Sequence, residues 1–319
     1  NDVHRTKETF AFASGEPGVL VIDSDGLPEF GIKTIQEYEA AIELLIGSAD
    51  YVTSPSASSG ISVDGVGGEL RGVHCFCFVG DAVLIPEMLE TLHKRSIILG
   101  YGYPFITKAG IVLIRSLVDL AMKTSNQPCY EGGAILAEGI TQERKLYYSQ
   151  SGDEPKFLTV DPLTPEEQQS CETKSQELSE SVANKAQIVR AVWCAEREVK
   201  MVARGCAPEK AKRILDAALS FERPVLSGDF EIHTDDFGIK TVKELLADPE
   251  KYHEATCADP LDPEDGTGKS KIYTLNQDGR PAIHSFAHGG ATYILEEDLF
   301  RDLTDEAIRE LAQNDIPSK

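Results

Sequence analysis

Asp23 and Asp25 close the run Val19-Leu20-Val21-Ile22-Asp23-Ser24-Asp25. Gly15-Glu16-Pro17-Gly18 before it signals a turn, so the run reads as a short buried strand. Residues two apart on a strand share a face. Two carboxylates on one face repel unless a cation lies between them. Carboxylate oxygens suit Mg²⁺ and Mn²⁺. The competing reading is a solvated turn, Asp-Ser-Asp-Gly-Leu-Pro, that holds no ion.

A third carboxylate, Asp119, lies in the apolar run Ile111–Met122 together with Arg115 and Ser116. A charge in such a run is costly unless paired or metal-bound. On a helix, Arg115 and Asp119 would pair at i, i+4. Otherwise Asp119 is a further metal ligand. Ser54-Pro55-Ser56-Ala57-Ser58-Ser59-Gly60 is a small-residue loop whose backbone could approach a phosphate; a plain surface turn fits the same composition. Val73–Val79 has strand propensity and puts His74, Phe76 and Phe78 on one face. With Arg71 and Gly72 beside it, His74 would complete a phosphate-binding corner; the alternative is an ordinary satisfied histidine.

Two further patterns invite chemistry. Gly266-Thr267-Gly268-Lys269-Ser270 resembles the end of a Walker A loop, but Pro263 stands where the first glycine is required and strand-like residues follow. No ATPase site is read there. Cys257, His284 and His288 form a Cys…His-x₃-His set that could hold zinc. Without a Cys-x₂-Cys partner, a hydrogen-bonded turn in a β module is the stronger reading.

These residues need elements to hold them. Lys33–Ile46 has helical apolar spacing, with Thr34 as N-cap, Glu37 at the capping-box position and Gly47 as the stop. Asp50–Thr53 reads as a strand and Pro86–Leu99 as a helix. Pro165–Glu180 is polar and acidic and reads as an exposed helix. Asn184–Arg204 and Pro208–Phe221 are helices carrying Lys185, Arg190, Arg197, Lys200 and Arg204, then Lys210, Lys212 and Arg213. Val225–His233 is extended, Val242–Leu246 is a short helix, and Lys271–Leu275, Pro281–His288 and Ala291–Leu295 are strands. Thr304–Gln313 is an amphipathic helix. The expected fold class is α/β (α+β). The expected divisions are a core at 1–160, a helical accessory segment at 161–224 and a small α+β module at 225–319.

The 319 residues are 41% hydrophobic and 26% charged, an ordinary globular composition. No apolar run approaches the roughly 20 residues of a membrane span. With no signal-peptide pattern, a cytoplasmic protein without a membrane partner is expected. The seven irregularly spaced cysteines read as reduced, Cys75 and Cys77 as core residues. A net charge of −22 repels nucleic acid at long range, so any such contact would be local, with the basic helices as its candidate. The alternative is a solvated helix face paired with acidic neighbours. The chain starts with Asn and reads as a piece of a longer protein.

Three short segments then fall in order: Val-Leu-Val-Ile-Asp23-Ser-Asp25, Gly72-Val-His74 and Ser-Leu-Val-Asp119. In this the chain resembles the archaeo-eukaryotic-type primase superfamily, in particular primase-polymerases of phages and plasmids. Thr53–Gly60, Gly68–Gly72 and Lys108–Asp119 resemble mobile-element replication proteins in texture, as do Asp259–Pro263 and Ile283–Gly289. The resemblance implies a primase-type core and a metal-dependent nucleotidyl transferase that makes or extends primers on single-stranded DNA from dNTP or NTP. Asp23, Asp25 and Asp119 would hold two Mg²⁺ or Mn²⁺ ions. His74, Arg71, Ser56, Ser58 and Ser59 would contact the nucleotide's phosphates, with Lys108 or Arg115 offsetting charge there. A helicase domain or protein is the implied partner. The alternatives are a DNA-binding replication initiator without catalysis, a metal-dependent nuclease or phosphohydrolase, and an interaction protein without chemistry.

Overall fold

A computed structural model describes residues 9–150, 152–220, 224–276, 279–287 and 290–297. His288 and the expected helix Thr304–Gln313 lie outside these residues. Among the described residues, no helix is long and apolar enough to cross a membrane. The chain is α+β and divides into two units, residues up to 105 with 112–183, and residues 106–111 with 184 onward. The segment expected at 161–224 is thus shared between the two.

The first unit contains β1 (Gly18–Asp25), α1 (Ile35–Ile46), β2 (Tyr51–Pro55), β3 (Ile61–Val63), β4 (Val66–Gly67), β5 (Gly72–Val79) and α2 (Ile85–Ile98). β6 (Gly102–Ile106), β7 (Val112–Ser116), β8 (Ile140–Gln142), β9 (Tyr147–Ser149) and α3 (Pro165–Ser181) follow. Its main sheet has the order β1-β5-β2-β9, with β5 antiparallel to both β1 and β2. β1 and β2, joined through α1, therefore flank an antiparallel strand, the split βαβ arrangement.

One face of this sheet is core. Leu20, Ile22, Val73, Cys75 and Cys77 pack in one cluster with Tyr38 and Ile42 of α1 and Leu89 and Leu92 of α2. α1 starts at the expected capping box, Thr34 and Glu37 each satisfying the other's backbone N–H. The other face is open. Val19 is 48% exposed, Phe78 opposite it 50% and Tyr148 77%. β1 is thus half-buried rather than wholly buried as expected, because helices cover only one side of an antiparallel sheet. Asp23, Asp25 and His74 belong to the open face by alternation.

Ile111–Met122 is not a helix. β7 pairs with β6, and a 3₁₀ turn over Leu120–Lys123 follows. β6 is paired on one side only, which accommodates Pro104. α3, expected to be an exposed helix, buries Cys171 alone and is tied to α2 by Arg95–Glu167 at 3.0 Å and Lys94–Gln168 at 3.2 Å.

The second unit contains α4 (Ala183–Ala203), α5 (Pro208–Ala218), β10 (Val225–Ser227), β11 (Glu231–Thr234), β12 (Gly238–Thr241), α6 (Val242–Ala247) and α7 (Pro249–Tyr252). β13 (Thr256–Cys257), β14 (Ser270–Tyr273), β15 (Ala282–Ser285) and β16 (Ala291–Glu296) complete it. One sheet of order β10-β16-β15-β14-β13-β11-β12 packs Ile232, Ile272, Ile283 and Leu295 with Trp193, Ile214 and Leu245.

Candidate functional site

The site is built on the Asp23–Asp25 end of β1. Register places Asp23 opposite His74 and Asp25 opposite Gly72, and His74 opposite Ser54 of β2. The third carboxylate arrives through the backbone: the Asp119 N–H donates to the Asp23 carbonyl at 3.0 Å. Buried Leu117 and Val118 and the Ser116 hydroxyl, 2.9 Å from His93 Nδ1 of α2, anchor this approach. Asp119 Oδ1 accepts from the Ala121 N–H at 2.9 Å and starts the 3₁₀ turn. No i, i+4 pair with Arg115 forms, because β7 ends between the two residues.

Ser24, between the two aspartates, faces the core. Its hydroxyl donates to the Leu117 carbonyl and lies 3.0 Å from the Tyr38 hydroxyl, pinning β1 to both the Asp119 segment and α1. Ser24→Ala leaves two buried polar groups short of a partner, so a loss of about 1–3 kcal/mol in chemical denaturation is expected.

The carboxylates interact strongly. Burial, then the Asp25 charge, pushes the Asp23 carboxyl up to about 6; His74 opposes this, and Asp119 and Glu131 add to it. Asp25 is also raised, by burial and then Asp119, against His74 and Arg115. Asp23 Oδ1 is buried without a hydrogen bond, 3.5 Å from His74 Nε2. An orphaned carboxylate oxygen among like charges fits a hard cation. The three Asp residues are close enough to perturb one another, yet they are not the tightest ligand cluster. Among the described residues, the one group of three whose ligand atoms all lie within 4.8 Å of one another is His74, Cys129 and Glu131.

His74 Nδ1 contacts Glu131 Oε1 directly and lies 3.5 Å from Cys129 Sγ. Burial and then Glu131 push the Cys129 thiol up to about 11. Partial burial would raise Glu131, but hydrogen bonds from His74 and Ser54 and the Arg144 charge hold it below the usual carboxylate range. Arg144 donates to the Pro55 carbonyl at 2.6 Å, to the Glu131 carbonyl at 3.2 Å and to Ser54 Oγ at 3.2 Å. Cys129, Glu131 and Arg144 are absent from the sequence reading. Their segment has no periodicity, and the i, i+2 spacing of Cys129 and Glu131 is the available signal.

The phosphate corner is brought together, but much of it is engaged internally. Ser59 Oγ accepts from the Arg71 and Gly72 N–H groups at 2.9 and 3.1 Å and donates to the Gly72 carbonyl at 2.9 Å. Buried Ser56 Oγ lies 3.1 Å from Ser58 Oγ and 3.2 Å from Ser59 Oγ. Ser56 and Ser59 therefore brace the start of β5, and exposed Ser58 and Arg71 remain at the surface. Arg71 makes no ion pair among the described residues. Arg115 is half-buried, its Cζ 5.6 Å from the Phe105 ring centre.

Lys108 belongs to the second unit and is paired with Asp262 at 2.9 Å and Glu264 at 3.6 Å. The basic helices are partly neutralised within that unit: Arg204 pairs with Glu231, Lys210 lies 3.7 Å from Asp229, and Arg197 stacks 4.0 Å over Trp193. Lys185, Arg190, Lys200 and Lys212 make no ion pair among the described residues.

The zinc set does not assemble. Cys257 pairs with Ser270, which pairs with Ser285, whereas His284 pairs with Lys271, which pairs with Thr256. Cys257 and His284 thus stand in neighbouring rows on opposite faces of the sheet. Cys257 is buried and its thiol is pushed up to about 12, first by burial; His284 Nδ1 lies 3.0 Å from Thr292 Oγ1. The Walker-like stretch is a turn: the Gly268 N–H donates to Asp235 Oδ2 at 2.9 Å, and β14 rather than a helix follows.

No family model, curated protein or solved structure matches the chain.

Proposed function

We propose that the first unit is a metal-dependent nucleotidyl transferase with a primase-type core, acting on single-stranded DNA with dNTP or NTP. The observation that carries this reading is the convergence of Asp23, Asp25 and Asp119 at one end of β1, with a buried carboxylate oxygen that makes no hydrogen bond and His74 directly opposite. The split βαβ sheet and the order of the three segments support it as well.

Asp23, Asp25 and Asp119 would hold Mg²⁺ or Mn²⁺, which when bound supplies Lewis-acid activation of the attacking 3′-hydroxyl and charge neutralisation at the triphosphate. The protein's own groups do the rest. The backbone link from Asp119 to Asp23 fixes the spacing of the carboxylates before any ligand arrives, so little reorganisation is needed. Arg115, whose charge acts on Asp25, and exposed Arg71 offer cations to phosphate oxygens. His74 presents Nε2 towards Asp23, where it can donate to an oxyanion or carboxylate.

The test is incorporation of labelled nucleotide on single-stranded DNA, with and without a primer, in Mg²⁺ or Mn²⁺. Template-dependent product that requires the metal is expected. Shortened DNA or hydrolysed nucleotide without extension would move the assignment to a nuclease or phosphohydrolase on the same carboxylates. A helicase partner and a template role for Arg190 and Lys200 remain extensions of this proposal.

A further inference from the structure

We propose that His74, Cys129 and Glu131 form a zinc site beside the aspartates. The donor set is an imidazole, a thiol and a carboxylate, the combination that selects Zn²⁺ over Mg²⁺ or Mn²⁺. Two of its three edges have the spacing of ligands around a small tetrahedral ion. With Zn–S at about 2.3 Å and Zn–N or Zn–O at about 2.0–2.2 Å, ligand-to-ligand edges are about 3.4–3.6 Å. Cys129 Sγ lies 3.5 Å from His74 Nδ1 and 3.7 Å from Glu131 Oε1. The third edge, from Nδ1 to Oε1, is shorter than this, a direct contact that must open by a side-chain movement as the ion enters.

The surroundings provide independent support. A metal-bound histidine characteristically gives its other N–H to a carboxylate, which fixes the tautomer and the ring. His74 Nε2 faces Asp23 Oδ1 at 3.5 Å, and that oxygen is buried without a hydrogen bond. Zinc on Nδ1 forces the ring proton onto Nε2 and aims it at this oxygen. Glu131 is oriented in turn by Arg144, which donates to its carbonyl and lies 3.6 Å from its carboxylate.

Binding forms Zn–S, Zn–N and Zn–O bonds and releases the Cys129 thiol proton to solvent. A thiolate and a carboxylate balance the charge of the ion. The three protein ligands leave a fourth position for water or a substrate oxygen, since Glu131 stands at the surface. Asp25 and Asp119 are not ligands; His74 and Asp23 are shared with the nucleotidyl-transfer reading, whereas Cys129 and Glu131 belong to the zinc site alone.

The experiment is titration of the full chain with Co²⁺ as the spectroscopic probe and Zn²⁺ as competitor. One equivalent of Co²⁺ should give a thiolate-to-cobalt charge-transfer band that Zn²⁺ abolishes. Cys129→Ser should lose the band, Glu131→Gln should bind more weakly, and Asp23→Asn should lose about 10- to 100-fold in affinity as the partner of His74. Cys194→Ser should titrate like the wild type. Circular dichroism of each variant separates lost binding from lost fold. No uptake by the folded wild type, or an unchanged band in folded Cys129→Ser, would overturn the site. No Co²⁺ uptake by a wild type that still incorporates nucleotide would remove this proposal alone.

Discussion

Asp23→Asn should be more stable than the wild type at about pH 7.5 without divalent ions, and should incorporate no nucleotide. The folded protein raises this carboxyl from 3.8 to about 6, chiefly by burial and the Asp25 charge. A raised acid contributes full stability below its unfolded value, and that contribution is lost as pH rises through the folded value. The wild type should therefore lose stability between about pH 4 and pH 6, and the isosteric amide should not. Two pH units correspond to about 2.7 kcal/mol at most. Solvent reaching a side chain that is 23% exposed reduces the expected gain to about 1–2 kcal/mol. Thermal melts at the two pH values check the sign. Mg²⁺ or Mn²⁺ should raise the melting temperature of the wild type and leave that of Asp23→Asn unchanged, because only a ligand of the folded state stabilises it. A variant less stable at both pH values would mean that the Asp23 carboxylate is a structural partner.

Gly72→Ala should lower both stability and activity while keeping every polar group of the site. A methyl group at Gly72 would stand 2.5 Å from Asp25 Oδ1, 3.0 Å from Ser56 Oγ and 3.1 Å from the Ser24 carbonyl oxygen. Asp25 can swing aside, but the Ser24 carbonyl is backbone of the strand that carries both aspartates. Overpacking of this kind costs about 1–3 kcal/mol. Displacing Asp25 by about an ångström should cost roughly 100-fold in incorporation rate. Gly80, at the other end of β5, has no atom within 4 Å of a Cβ, so Gly80→Ala is the control and should change stability by no more than about 0.5 kcal/mol. Equal behaviour of the two variants would mean that the close approach at Gly72 does not position Asp25.

How much of this was legible in the sequence depends on the range of the interaction concerned. The shared face of Asp23 and Asp25, the strand carrying His74 and the capping box of α1 are local, and period and spacing were enough to find them. The helix-or-strand question at Ile111–Met122 was not resolvable by period, because every position but Arg115, Ser116 and Asp119 is apolar or small. Pairing with β6 decides it. The separation of Cys257 from His284 is a matter of parity, and parity needs the register of three strands rather than a count of residues. Cys129, Glu131 and Arg144 meet His74 and Ser54 only through the tertiary fold. The serine loop is a subtler instance: hydroxyls suited to phosphate are equally suited to the backbone of β5, and Ser59 is taken up by it.

The central claim, that Asp23, Asp25 and Asp119 act together on a metal-bound nucleotide, is tested most directly by comparing single-stranded-DNA-templated incorporation in Mn²⁺ for the wild type, Asp23→Ala/Asp25→Ala and Asp119→Ala. Each protein should first be shown to be folded. Metal-dependent product from the wild type that disappears in both variants is the predicted result. Product that persists without metal or in either variant, or no product from folded wild type, would contradict it.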